Sequence, residues 1–113
     1  MNLSSKEFQD RIQELADIHF PDANLRTREY SKFRIKLRLI FSVDFFVEVF
    51  YAPQTAKVSF TLIKDEERIF GIDNLGGWHR HPVKNPSNHI DISEPKFKEI
   101  FEWLKKAKEE KNS

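Results

Sequence analysis

The chain has 113 residues, a net charge of +1, 39% hydrophobic residues, 11 Phe and no Cys. A single domain over residues 1–113 is the expected organisation, since a chain of this size can bury about 65% of its unfolded surface. The lack of Cys excludes disulfides and thiolate metal ligands; with no apolar leader and no 18-residue apolar window, the expectation is a cytoplasmic protein without a membrane partner.

"SSKE" at 4–7 has the form of a capping box, with Ser4 and Glu7 exchanging hydrogen bonds across the first helical turn. Phe8, Ile12 and Leu15 follow at helical spacing, and Pro21 ends the helix near Phe20. From Tyr30 the period becomes two: Phe33, Ile35, Leu37, Leu39 and Phe41 fall on one face, Lys32, Arg34, Lys36 and Arg38 on the other. "SVD" reads as a tight turn. "FFVEVFY" (45–51) is apolar on both faces apart from Glu48 and reads as a central strand. "APQTA" breaks it, "KVSFTLI" (57–63) alternates again, "KDEE" turns, and "RIFGI" (68–72) is a fourth strand. Short turns between consecutive strands predict an antiparallel meander.

About twenty residues rich in Asn, Gly, Pro and His then read as a loop. Ser93 suits the N-cap of a final helix, with Glu94 and Pro95 in its first turn. Phe97, Ile100, Phe101 and Leu104 form its apolar stripe, and residues 106–113 read as a frayed end. The expected fold class is α+β: an N-terminal helix, a four-stranded antiparallel meander sheet, a His-rich loop and a C-terminal helix, both helices lying on one face of the sheet.

Three of the four histidines fall in that loop, in "GGWHRHP" (76–82) and "NPSNHID" (85–91). In an extended segment His79 and His81 project to one side and Arg80 to the other. Gly76 and Gly77 permit a turn that brings Asp73 and Asn74 back towards them. Two adjacent imidazoles can act as general base and general acid near neutrality, with Arg80 or Lys84 as the cation that a phosphoryl transition state needs. A Gly/Pro-rich surface loop whose histidines bond backbone carbonyls produces the same composition. Asp73, His79, His81 and His89 are also a ligand set for zinc or another divalent metal. The basic strand residues Arg34, Lys36 and Arg38 can meet phosphates of a nucleic acid, or form a solvated sheet face paired to acids such as Glu48.

The run "RIFGIDNLGGWHRHP", followed by "NPSNHI" and "SEPKFKEIFEWL", resembles the TumE-like toxin family of prokaryotic toxin–antitoxin pairs. The resemblance spans roughly residues 28–105 and is most specific over about 68–92, where Asp73, Asn74, His79, His81, Pro82 and His89 fall on the family's pattern. Here Arg80 and "VKNPSN" separate single histidines, where many members carry adjacent pairs. The resemblance implies a toxin role and a cognate antitoxin as partner. Joined to the histidines and the basic strand, it leads to a toxin-type, metal-independent ribonuclease. His79 and His81 share acid/base work, His89 or Arg80 stabilises the phosphate, Asp73 orients an imidazole, and Arg34, Lys36 and Arg38 hold RNA. No cofactor is needed on that reading. The alternative is a non-catalytic module whose loop binds a metal ion or a protein partner. A homodimer is a further partner expectation, because the second strand is apolar on both faces.

Overall fold

The computed structural model describes residues 2–85 and 87–112. Helix α1 (Ser5–His19) is followed by β1 (Asn24–Tyr30), β2 (Ile35–Ser42), β3 (Phe45–Ala52), β4 (Lys57–Lys64), β5 (Glu67–Asp73), β6 (His79–His81), β7 (Ile90–Asp91) and α2 (Phe97–Asn112). The strands form one sheet in chain order, every neighbouring pair antiparallel.

The capping box is present: Ser4 Oγ accepts from the Glu7 amide at 3.1 Å, and Glu7 Oε1 accepts from the Ser4 amide at 2.9 Å. Phe8, Ile12, Leu15 and Ala16 of α1 are buried. They meet the face of the sheet made by Ile35, Leu37 and Leu39 of β2, Val47, Val49 and Tyr51 of β3, and Phe60 and Leu62 of β4. Phe8 stacks on Tyr51 at 4.3 Å between ring centroids, and Tyr51 donates to Leu3 O at 2.6 Å. From α2, Ile100, Phe101 and Leu104 join the same core, with Phe101 against Phe20 and Phe60. Fully burying one such side chain stabilises by about 1.5–3 kcal/mol, so this single layer of contacts fixes which sheet face is covered.

The meander and the two helices follow the sequence pattern; the strand count does not. The sheet has seven strands rather than four. β1 escapes the pattern because Arg26, Thr27 and Arg28 are all exposed and only Leu25 packs on the core, so it carries no apolar alternation. It exists through its ladder with β2. The basic strand begins later than expected. Lys32, Phe33 and Arg34 lie in the β1–β2 turn, where Ser31 Oγ accepts from the Phe33 and Arg34 amides, and Phe33 is exposed. The stretch expected as loop contributes β6 and β7, too short to show a period.

α2 also differs at both ends. Ser93 does not cap it; the helix starts at Phe97, and Glu99 Oε1 accepts from the Lys96 amide at 2.9 Å. Pro95 is buried against the body, and its ring disfavours helical backbone at Glu94. At the far end the helix continues to Asn112 instead of fraying from residue 106. Ala107 is buried, and Lys108 lies over the rings of Phe41 and Phe45, so packing holds a turn that charge composition alone does not.

The other face of the sheet is uncovered by helices. Cross-strand register places Lys36, Phe50, Ser59, Asp73 and His79 in one row on this face, and Arg38, Glu48, Thr61, Gly71 and His81 in the next.

Candidate functional site

Asp73 ends β5 and pairs directly with His79 on β6, while Gly71 pairs with His81. Alternation therefore sets Asp73, His79 and His81 on the open face and turns Arg80 towards α2. The hairpin between the strands is built by Asn74. Its side chain accepts from the Val58 amide at 2.9 Å and donates to Ala56 O at 2.8 Å, which staples the end of β5 to the start of β4. Gly76 and Gly77 take φ of 69° and 112°, backbone that side chains resist, and so return the chain into β6. Trp78 packs against the core, and its carbonyl accepts from the Ile92 amide at 3.0 Å, drawing the β7 segment alongside.

That segment delivers His89. The three imidazoles converge: ring centroids are 5.1 Å apart for His79–His81, 4.8 Å for His79–His89 and 4.3 Å for His81–His89. Asp73 lies between two of them, with Oδ1 3.1 Å from His79 Nε2 and Oδ2 3.4 Å from His81 Nε2. His81 is 3% exposed and His79 is 9% exposed, whereas His89 faces solvent. Gly71 lies against the His81 ring; a Cβ there would stand 3.4 Å from His81 Cδ2, an ordinary contact.

Hydrogen-bond roles follow from the partners. His79 Nδ1 is 3.0 Å from Gly77 O, an acceptor, so Nδ1 carries a hydrogen. His79 Nε2 stands 3.1 Å from Asp73 Oδ1, a separation at which the two atoms can share a proton or a metal ion. The three histidines each offer a ligand atom, and these atoms all lie within 4.8 Å of one another. An imidazole whose other nitrogen donates to a backbone carbonyl is the usual arrangement of a metal-ligating His. Tetrahedral zinc bonds of about 2.0–2.2 Å place neighbouring ligand atoms about 3.3 Å apart, and the Asp73–histidine separations agree with that edge.

Not every expected site residue joins the cluster. Arg80 lies on the helix side of β6, its guanidinium carbon 5.7 Å from the centroid of Trp103, on the opposite face from the imidazoles. Arg34 sits in the β1–β2 turn and is bound to Glu29, not on the strand face. Arg38 is on the open face but forms an ion pair with Glu48 at 2.9 Å while its guanidinium covers Phe46. Lys36 stands on the open face, with no ion pair to another of the described residues. Four strand spacings separate Lys36 from His79, about 19 Å.

Three residues were not among the expected site residues. Arg68 is one: a register shift in the β4–β5 ladder pairs it with Ile63, placing it on the open face, and its Cδ is 3.7 Å from where a Gly71 Cβ would sit. The signal was the adjacent apolar pair Ile69 and Phe70, both buried, which breaks alternation. Asp91 is directly opposite His79 on β7, a second carboxylate at the cluster's edge. Arg26 pairs with Arg38 across β1–β2 and extends the basic end of the open face. Between the basic end and the histidines lies a cleft of about 290 Å³ bordered by Phe50, Ser59, Thr61, Asp73 and Leu75.

Among the described residues, no helix is long and apolar enough to cross a membrane. Compared with models of known protein families, with curated proteins and with solved structures, the chain matches none of them.

Proposed function

We propose that this protein is a toxin-type phosphodiester-cleaving protein that acts on single-stranded RNA across the open face of its sheet. The observation that carries the reading is the convergence of His79, His81, His89 and Asp73 on a sheet face that carries Lys36, Arg38 and Arg26 on its far strands. The toxin role rests on the resemblance of the Asp-Asn…WHRHP…NPSNH run, which also implies a cognate antitoxin.

In this mechanism exposed His89 takes the proton of a ribose 2′-hydroxyl, and the 2′-oxygen attacks the adjacent phosphorus. His79 gives the proton it shares with Asp73 to the departing 5′-oxygen. A 2′,3′-cyclic phosphate and a 5′-hydroxyl result, and water balances nothing in this step. Burial suits His81 to positioning: it holds Asp73 from the other side. Arg68 supplies the cation for the extra charge on the phosphate, the role Arg80 lacks the position to fill. Lys36, Arg38 and Arg26 hold RNA further along; about 19–24 Å of extended single strand separates them from the histidines.

The test is incubation of purified protein with labelled single-stranded RNA, with and without EDTA. Cleavage that survives EDTA and falls about 10²–10⁴-fold in His89→Asn and His79→Asn supports the mechanism. Intact RNA overturns it, as does full activity in both variants.

A second reading, a binding module that holds a divalent ion in the same residues, is favoured by the Nδ1–Gly77 carbonyl contact. One tightly held ion per chain, with no RNA cleavage, decides for it; protein purified without metal and unable to take up zinc decides against it.

A further inference from the structure

Arg80 has surroundings of its own on the helix side of the sheet. Trp103 of α2 forms one wall, Phe70, Val83 and Ala107 an apolar floor, and the cavity measures about 220 Å³. Lys84 and Lys106 border it, opposed by one acid, Glu110. Arg11, Arg34 and Arg38 each close on a carboxylate. Arg80 does not: its contact is the Trp103 ring, and its Nε is buried with no hydrogen-bond acceptor among the described residues. A desolvated donor without an acceptor is unfavourable, so this guanidinium is not satisfied from within the fold, and it borders the cavity where an oxyanion can meet it.

We propose that this cavity is a binding site for a nucleoside phosphate. Phosphate oxygens accept from the planar fork of Arg80, Lys84 and Lys106 add point charge, and the base lies against the indole of Trp103. Three cations against one acid leave two positive charges, which suits a phosphate better than a carboxylate. At about 220 Å³ the cavity is below the ~300–1,000 Å³ of drug-sized sites, so it holds at most one nucleotide. β6 separates the two sites, with the imidazoles on one face and Arg80 on the other, so this site is distinct from the cleavage site and stands whether or not RNA is cut.

The experiment is an NMR titration of the ¹⁵N-labelled full chain with adenosine monophosphate and, separately, with inorganic phosphate. The nucleotide is expected to move the Arg80 Nε–H and Trp103 indole N–H signals saturably while the His79 and His89 ring signals stay. Inorganic phosphate is expected to bind at least ~10-fold more weakly, for want of a base to stack. Arg80→Lys keeps the charge and loses the fork, and is expected to raise the nucleotide Kd at least ~10-fold. Equal affinity for the two ligands overturns the proposal, as does an unchanged Kd in Arg80→Lys or no saturable shift at Arg80. Should Arg80→Lys fail to fold, Lys106→Gln on the exposed side of α2 carries the test: weaker nucleotide binding supports the site, and unchanged binding overturns it.

Discussion

Asp73→Asn isolates the carboxylate's part in holding the histidines. Asp73 Oδ1 accepts from the Leu75 amide at 3.0 Å, and an Asn carbonyl keeps that bond, so the hairpin survives the change. What is lost is the negative charge facing His79 Nε2 at 3.1 Å and His81 Nε2 at 3.4 Å, with the carboxylate side chain 21% exposed. A hydrogen bond to a charged group is worth about 1.5–3 kcal/mol; the second contact is long and partly screened, which leaves a loss of about 2 kcal/mol for the pair. With a urea slope of about 1.5 kcal/mol per molar, the unfolding midpoint falls by about 1.3 M. Urea titrations of the wild type, Asp73→Asn, His79→Asn and the double variant form a cycle, and the expected coupling is about 1 kcal/mol or more. A loss under about 0.5 kcal/mol, or additive single losses, refutes the reasoning that Asp73 binds the imidazoles.

Tyr51→Phe separates a hydrogen bond from a titration. Burial pushes the Tyr51 hydroxyl above its ordinary value of 10.0, so its neutral form stabilises the fold below that pH and the contribution fades as pH rises through the raised value. The variant therefore gives up about 1 kcal/mol at neutral pH with the Leu3 bond, but its deficit shrinks above pH 10 in thermal unfolding. Gly77→Ala forces a side chain into φ of 112°, which costs about 1–3 kcal/mol and shifts the His79 ring signals as the Gly77 carbonyl moves. Asn74→Ala leaves the Val58 amide and Ala56 carbonyl without their partner and lowers stability by about 2 kcal/mol in denaturant titration. Lys36→Gln reduces both RNA affinity and its salt dependence in filter binding; Arg34→Gln, in the turn and bound to Glu29, leaves both unchanged.

The core was legible in the sequence because its residues alternate without interruption: Ile35 to Leu39, Val47 to Tyr51 and Val58 to Leu62 each bury one side. β1 was not, because a strand at the sheet edge with exposed Arg26, Thr27 and Arg28 is specified by its neighbour's backbone and not by its own side chains. β6 could be read only as a local rule, that His79 and His81 share a side and Arg80 opposes them. That rule excluded Arg80 from the cluster once the segment proved extended. His89 was legible as a candidate by its composition, while Asp91 joins only through its pairing with His79, and Arg68 through a bulge that shifts the register by one. The candidate site was thus visible as a composition, while the placement of Arg68 and Asp91 beside it was set by pairing.

The most direct measurement of the central claim is mass spectrometry of the ends left on single-stranded RNA by the purified protein in EDTA. Histidine acid/base cleavage predicts fragments ending in 2′,3′-cyclic phosphate and beginning with 5′-hydroxyl, absent with His89→Asn. Uncut RNA contradicts the account, and so do 5′-phosphate ends or cyclic ends formed equally by the variant.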